Sequence, residues 1–221
     1  MLPERREGGH EFGCNPCSEI VLRSEQFCNL TEVVAKPSDT IETLSVKVRL
    51  ATILGTLQST LTNFKFLRKG WTDNCEEERL LGVSLTGIYD CPALRNATAD
   101  DLNDLKHQAI AVNTDWANLL GIAPSAAVTC IKPSGTVSQL CDSGSGIHPR
   151  WGKHYIRRVR NDKKDPISQA MIDAGVPHEE DKYNAEALVF SFPMKAPAKA
   201  VTRNDVTPIG QLELWKHFAL N

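Results

Sequence analysis

The chain has 221 residues, of which 41% are hydrophobic and 24% charged, and its formal net charge is −2. This composition is typical of a globular protein with a sizeable core, and the near-neutral charge gives no general attraction to nucleic acid or membrane surfaces. No apolar run is long enough to span a bilayer, and the charged start lacks the form of an export signal. Seven cysteines without such a signal indicate a reducing compartment, so we expect a cytoplasmic protein.

The elements predicted in chain order alternate between strands and helices. Two extended pieces lie within 12–35, and a helix follows whose apolar residues recur at helical spacing from Ile41 to Leu61. Asp39 and Glu42 have the spacing of a capping box at the start of this helix. Strands separated by helices favour an α/β architecture with parallel strands. Further strands are predicted at LLGVSLTGIY, SAAVTCI and ALVFSFPMKAP, and further helices at ATADDLNDLKHQAIAVNTDWANLLG, PSGTVSQLC, PISQAMIDAG and TPIGQLELWKHFAL.

The stretch CNPCSEI places Asn15, Cys17 and Glu19 at alternate positions. In an extended segment alternate side chains point to one face, and Pro16 stiffens the backbone between two of them, so we expect the three side chains to share a face. A thiol flanked by an amide and a carboxylate can exchange a hydrogen atom or act as a nucleophile while the carboxylate moves a proton and the amide orients a hydroxyl. Cys28 reaches the same place if the chain reverses at RSEQ.

Other interpretations of these cysteines stay open at this point. Cys14 and Cys17 form a CxxC pair that could be half of a zinc site, although no second ligand pair follows at suitable spacing. A thioredoxin-type CxxC should open a helix after a strand, whereas Cys17 leads into an extended stretch. Unrelated buried cysteines are also common in chains of this kind.

A second constellation lies at PSGTVS, between an apolar strand and a helix. Free backbone N–H groups, small residues and hydroxyls at a helix N-terminus can hold phosphate groups. The segment lacks the pattern of a nucleotide-hydrolysing P-loop, and an ordinary N-cap is the alternative. His148, in the DSGSGIHP turn that follows, is interpreted as a hydrogen-bonded loop residue. The candidate phosphate-binding residues are Pro133, Ser134, Gly135, Thr136, Val137 and Ser138.

Together the two constellations resemble the ribonucleotide reductases, specifically the adenosylcobalamin-dependent (class II) branch. The matching stretches are NPCSEI, EQFCNLTEVV, LLGVSLTGI, KPSGTVSQL, SGIHPRW, YIRRVR, DAGVP and VFSFPMKAP, in that order along nearly the whole chain. The wording around Cys28 is closest to the monomeric ribonucleoside-triphosphate reductases. The resemblance implies a ten-stranded α/β barrel with a finger loop in its middle. Residues 1–221 would form the second, C-terminal half of this barrel, with the finger loop and the following strand at 12–35.

The resemblance also implies a mechanism. Adenosylcobalamin would generate a radical that takes a hydrogen atom from Cys17, and the thiyl radical would then abstract the 3′ hydrogen of the ribonucleotide. Glu19 would accept the 3′-hydroxyl proton as general base, and Asn15 would orient the ribose hydroxyls. Cys28 would be one member of the cysteine pair that is oxidised to a disulfide. The 133–138 loop would hold the substrate phosphates, and no resident metal site is implied.

The partners that the resemblance implies are a ribonucleoside triphosphate or diphosphate, a thioredoxin-like reductant and a complementary N-terminal reductase segment, with no direct contact to nucleic acid or membrane. The family's second reducing cysteine and its C-terminal cysteine pair have no counterpart here, so we expect part of a split or truncated enzyme that is inactive by itself. The alternatives are a non-catalytic remnant, a nucleotide-binding module or a CxxC zinc-binding protein. The basic run 157–164 is interpreted as a solvated strand edge.

Overall fold

The structure, a computed structural model, describes residues 6 and 9–221. The chain divides into two compact units. The first comprises the described residues up to Pro149 together with Asp205–Asn221, and the second is Arg150–Asn204. This division was not anticipated from the sequence, which suggested one continuous piece.

The first unit begins with a β-hairpin. Strand β1 (Phe12–Cys14) pairs antiparallel with β2 (Val21–Arg23), so that Cys14 lies opposite Val21. The six residues between the paired ends, 15–20, form the hairpin loop, which contains a tight turn.

Parallel strands follow the hairpin, as the alternation of strands and helices predicts. Strand β3 (Asn29–Val34) pairs in parallel with β4 (Leu81–Thr86) along their whole length. Thr129 adds a parallel bridge to Val83, so the predicted strand SAAVTCI is reduced to a single bridge beside β4. The expectation of an α/β arrangement with parallel strands is confirmed for this unit.

Helices cover one face of these parallel strands. Helix α1 (Ile41–Gln58) and the long helix α4 (Ala99–Leu120) pack on each other and bury Leu44, Val48, Leu105 and Ala109 against Leu81 and Val83. The remaining helices of the unit are α2 (Lys69–Glu78), α3 (Pro92–Arg95), α5 (Thr136–Leu140) and α7 (Pro208–Leu220). The opposite face of the strands is left to the hairpin and to the segment that precedes α5.

The second unit is an antiparallel sheet with one helix. Its strands are β5 (His154–Asp162), β6 (His178–Glu180) and β7 (Ala187–Lys195), in the order β5-β7-β6, and α6 spans Pro166–Asp173. The basic run therefore lies on an edge strand and just after it, as predicted. Four of its cations face carboxylates, in the pairs Arg158–Glu179, Arg160–Asp181, Lys163–Glu180 and Lys164–Glu186. Across the described residues of both units, every helix is too short or too polar to traverse a bilayer.

Candidate functional site

The loop of the hairpin is a turn that Asn15 closes at both ends. The Ser18 N–H donates to the Asn15 carbonyl over 2.9 Å, which is the hydrogen bond of a β-turn with Pro16 at its second position. The Asn15 side chain fixes the other side of the loop, since its Oδ1 accepts from the Ile20 N–H over 3.1 Å. Ser18 has a φ of +60°, in the left-handed region. The local sequence therefore folds the loop into one defined shape.

The prediction that Asn15, Cys17 and Glu19 lie on one face of an extended segment is wrong. Residues 15–19 contain a turn, because Asn15 and Pro16 together favour turn formation over a continued strand. The turn places the Cys17 thiol and the Glu19 carboxyl in different environments. Cys17 is exposed, whereas the Glu19 side chain has no exposed surface.

The exposed end of the hairpin carries two free thiols. Cys14 and Cys17 are both exposed, and neither is in a disulfide. The Cys14 sulfur lies 3.6 Å from the Ser18 hydroxyl, beside the turn. Within residues 6 and 9–221, no three His, Cys, Asp or Glu side chains form a group that could hold a metal ion. The CxxC pair therefore lacks further zinc ligands in this part of the chain.

Glu19 is a buried carboxylate with one ionic partner. Lys132 Nζ donates to Glu19 Oε1 over 2.8 Å, and Oε2 is buried without a hydrogen-bond partner. Burial raises the pKa of the Glu19 carboxyl, but hydrogen bonds from Lys132, the loop backbone and the Asn15 amide outweigh it and leave the pKa below its ordinary value. The carboxylate is therefore ionised at neutral pH. Glu19 is one of the residues that line a cavity of about 310 Å³.

Two further thiols lie near this carboxylate. Cys28, just before β3, and Cys130 both contact the small apolar cluster around Ile20. Burial and the negative charge of Glu19 raise the pKa of Cys28, and the same two causes raise the pKa of Cys130 to about 12. Both sulfurs are therefore thiols at neutral pH. The structure thus brings both Cys28 and Cys130 to the hairpin through the cluster around Ile20.

The predicted phosphate loop follows Lys132 directly. Its tip, from Gly135 to Val137, is exposed, and the first turn of α5 leaves backbone N–H groups there without helical acceptors. The two serines have internal partners. Ser134 Oγ donates to Glu32 Oε2 over 3.0 Å, and Ser138 Oγ donates to the Gly135 carbonyl over 2.9 Å. The groups that can donate hydrogen bonds to an anion are therefore the backbone N–H groups of the tip and the Thr136 hydroxyl.

The segment after α5 packs against the start of this loop. Thr86, at the end of β4, donates its hydroxyl to the Gly144 carbonyl over 3.2 Å and accepts from the Gly146 N–H over 2.6 Å. Gly146 has a φ of +56°, and a Cβ there would lie 2.2 Å from the Lys132 carbonyl oxygen. Only glycine therefore fits this close approach. His148 Nδ1 lies 3.1 Å from the Ser145 carbonyl, so its interpretation as a hydrogen-bonded loop residue is confirmed.

Two charged residues of the site were missed in the sequence. Lys132 directly precedes the predicted phosphate loop, and Glu32 lies in β3. Glu32 has the same parity in the sequence as Cys28, and Lys132 the same parity as Ser134. Charged residues at inward positions of apolar strands are a signal that would have found them, because charges are seldom buried without a partner or a role.

Comparisons with known proteins agree on one family, although no family model matches the chain. The chain is 28% identical to the adenosylcobalamin-dependent ribonucleoside-triphosphate reductase of Levilactobacillus brevis, covering 89% of the chain and 30% of the relative. It is 27% identical to the reductase of the same name from Lactobacillus helveticus, over 94% of the chain and 31% of the relative. The chain thus spans about 30% of the length of the curated relatives it matches.

A solved structure shares the fold. The crystal structure of a B-12-dependent (class II) ribonucleotide reductase superposes with a TM-score of 0.61 at 24% identity, covering 83% of the chain and 29% of that structure. The resemblance drawn from the sequence is confirmed: over most of its length this chain is similar to a part of the adenosylcobalamin-dependent ribonucleotide reductases.

Proposed function

We propose that the chain supplies part of the active site of a ribonucleotide reductase that uses a thiyl radical on Cys17. The observation that carries the proposal is the hairpin. It presents an exposed thiol at its turn and, two residues later, buries an ionised carboxylate against the segment that leads into the phosphate loop. The relatives that share this stretch bear the name of the same activity. As the chain spans about 30% of their length, the complete activity requires a complementary reductase segment.

The exposure of Cys17 fits the cofactor named for the relatives. Adenosylcobalamin is a large group, and a thiol at the end of a projecting hairpin can be approached by such a group, whereas a thiol within the core cannot. When bound, the cofactor would supply an organic radical that accepts a hydrogen atom. Cys17 gives up the hydrogen of its S–H bond, and its sulfur then takes the 3′ hydrogen of the ribose. Sulfur suits this exchange because its bond to hydrogen is close in strength to an activated ribose C–H bond.

Glu19 and Asn15 handle the ribose hydroxyls. Glu19 is ionised, its Oε2 has no hydrogen-bond partner and the residue lines a cavity, so it can accept the 3′-hydroxyl proton as general base. The Asn15 amide oxygen accepts from the loop backbone and its NH₂ group donates to Glu19, which leaves the second N–H of the NH₂ group to orient a hydroxyl. The C2′–O bond then breaks, and the oxygen leaves as water.

Cys28 supplies reducing equivalents. Its raised pKa keeps it a thiol, the form that delivers hydrogen and resists adventitious oxidation. In the proposed reaction Cys28 and a second thiol, from the complementary segment, each lose one hydrogen and join in a disulfide. Of the two hydrogen atoms, which carry the two electrons, one forms the new C2′–H bond and the other completes the water that takes away the 2′ oxygen, while Cys17 returns the 3′ hydrogen to the ribose. A thioredoxin-like reductant then restores the two thiols by disulfide exchange.

The exposed tip of the 133–138 loop would hold the phosphates of a ribonucleoside triphosphate or diphosphate. The backbone N–H groups of this tip and the Thr136 hydroxyl would donate hydrogen bonds to the phosphate oxygens. We further propose that β3, β4 and the strand at Thr129 are consecutive strands of a ten-stranded barrel. Their parallel pairing and the reductase fold neighbour support this assignment.

The test is deoxynucleotide formation by a reconstituted enzyme. The purified chain is mixed with a polypeptide that carries the remaining segments of a relative, adenosylcobalamin, a ribonucleoside triphosphate and a dithiol. We expect product from the mixture and none from the chain alone. Cys17→Ser should abolish product, whereas Cys14→Ser, in the same hairpin and equally exposed, should retain it. Cys28→Ser should limit the reaction to less than one turnover per chain.

Two results would contradict this scheme. Turnover that survives Cys17→Ser would exclude the thiyl mechanism, because oxygen cannot replace sulfur as a reversible hydrogen-atom carrier. A mixture that binds the triphosphate but makes no product, with the wild-type chain correctly folded, would favour a non-catalytic nucleotide-binding module instead.

A further inference from the structure

Lys132 connects two parts of the site that are far apart in the sequence. Its Nζ lies 2.8 Å from Oε1 of Glu19, which precedes it by 113 positions. The Lys132 side chain is 20% exposed, and the Glu19 side chain is 0% exposed. The residue stands at the junction of the Thr129 strand and the loop that begins with Pro133. One ammonium group therefore ties the hairpin of Cys17 to the start of the phosphate loop.

The position of the Lys132 backbone is fixed independently of its side chain. Gly146 packs against the Lys132 carbonyl so closely that a Cβ would lie 2.2 Å from the oxygen. The Ser145 hydroxyl donates to the Ser134 carbonyl two residues further on. Because the backbone on both sides is held, the ammonium has a defined origin from which to reach Glu19.

Lys132 is the cation that pairs with Glu19 and lowers its pKa. The hairpin contributes the Asn15 amide, and the thiols of Cys28 and Cys130 lie close enough for the charge of Glu19 to raise their pKa values, whereas the Cys17 sulfur lies near Lys132. The hydrogen bond that Lys132 donates to the Glu19 carboxylate raises the pKa of Lys132, so its ammonium stays charged throughout the physiological range. The negative charge of Glu32 also contributes to the raised pKa of Cys130, and the Glu32 carboxylate accepts a hydrogen bond from the Ser134 hydroxyl. The positive charge that acts on Glu19 comes from Lys132.

The ion pair with Lys132 fixes the orientation of the Glu19 carboxylate. Lys132 binds Oε1 alone, and Oε2 remains without a partner. A buried carboxylate that loses its only cation bears the full cost of desolvation, which favours the protonated form. A protonated Glu19 has no basic oxygen to offer a substrate hydroxyl.

We propose that Lys132 is a positioning residue for Glu19, holding its carboxylate so that Oε2 faces the substrate hydroxyl while the hairpin stays seated beside the phosphate loop. This role rests on the proposed reductase function. Lys132 itself touches no reacting atom. Its contribution is to keep the base ionised and aimed before substrate arrives.

The first measurement needs only the chain as it exists. Glu19 is titrated by ¹³C NMR with labelled glutamate, and Glu19→Gln identifies its signal. We expect the Glu19 pKa to lie below its ordinary value in the wild type, to rise above it in Lys132→Met, and to return in Lys132→Arg. Lys69→Met is the matched control, since it removes an exposed ion pair at 3.7 Å from Asp73. An unshifted Glu19 pKa in Lys132→Met would overturn the proposal.

The second measurement is the pH profile of the reconstituted enzyme. With Lys132→Met we expect kcat/KM near neutral pH to fall roughly 10- to 100-fold. The acidic limb should move to higher pH, and part of the lost activity should return as the pH rises and Glu19 ionises. Lys132→Arg should restore the profile. A uniform loss with an unmoved acidic limb would reduce Lys132 to a structural residue and overturn the proposal. Absence of turnover with the wild-type chain would instead overturn the reductase function, while the NMR titration still decides the ion pair.

Discussion

Gly82→Val should loosen the hairpin that carries Cys17. Gly82 lies in β4, under the hairpin, and has no side chain of its own. A Cβ at this position would lie 2.4 Å from Leu30 Cδ2 and 3.0 Å from both Ile20 Cδ1 and Cys130 Sγ. Contacts this short require at least one of the three side chains to move. Ile20 is the one that belongs to the hairpin, so the hairpin is the element free to lift.

The expected magnitude follows from comparing two opposing terms. Overpacking a closed site by a few methyl groups costs about 1–3 kcal/mol. Burial of Ile20, which is 6% exposed, stabilises the seated hairpin by about 1.5–3 kcal/mol. Because the two free energies are similar, lifting the hairpin can relieve the overpacking. The overpacking cost, converted to a ratio, should shift the equilibrium between seated and lifted hairpin by roughly 5- to 150-fold. Gly82→Ala should shift it less, since the nearest atom is the mobile end of the Leu30 side chain.

The assay is the rate of alkylation of Cys28 and Cys130, which the seated hairpin partly covers. At constant pH the rate at both positions, read by peptide mass spectrometry, should rise by at most the factor given above, because both thiols are already partly exposed in the seated state. Gly13→Val is the matched control, because it lies in β1 and a Cβ there has no atom within 4 Å. Unchanged alkylation of Cys130 in Gly82→Val, with a loss of global stability in urea, would refute the reasoning. The strain would then have spread into the core.

Two further predictions concern stability. Asn113 is 1% exposed; its side chain donates to Thr56 and Ser125 over 2.9 Å each and accepts from the Ser125 N–H over 2.8 Å. Asn113→Leu leaves these buried polar groups without a partner, so it should lower the free energy of unfolding by about 2–4 kcal/mol. An unchanged urea midpoint would contradict this. Burial raises the pKa of Glu78, but Arg6 and its neighbours outweigh it and lower the pKa below the ordinary value. The carboxylate therefore stabilises the fold above the unfolded pKa, and this contribution is lost as pH falls through the folded pKa. Glu78→Gln should flatten the acid loss of stability in urea titrations, and an equally steep loss would exclude this source.

Local signals in the sequence predicted α1, α4, α6 and α7 and the parallel strands β3 and β4, but they missed α2 and α3, and the predicted start of α1 was displaced by one residue. The predicted capping box was Asp39 with Glu42, whereas Thr40 caps the helix together with Thr43. Asp39 is engaged elsewhere, because its carboxylate accepts from the Lys36 N–H over 2.7 Å and pairs with Lys47. Two candidate caps adjacent in sequence cannot be separated by pattern alone when a distant cation decides between them.

The hairpin shows the same limit at the site itself. Period-two alternation suggested one shared face for Asn15, Cys17 and Glu19, but the Asn-Pro pair carried the opposing turn signal. Choosing between them requires knowing what the loop packs on. Gly82 and Lys132 supply that information from 60 and more positions away, Gly82 by leaving room for Ile20 and Lys132 by pairing with Glu19.

The turn has a chemical consequence that an extended strand could not provide. A thiol that exchanges a hydrogen atom with a bulky group must be reachable, whereas a base that acts on one substrate hydroxyl benefits from exclusion of water and a fixed cation. These needs conflict for two side chains on the same face of a strand, since burying one buries the other. By reversing the chain between them, the turn lets Cys17 stay exposed while Glu19 is fully covered two residues later. The motif specifies which groups are present, and the turn together with Lys132 gives each group a different environment.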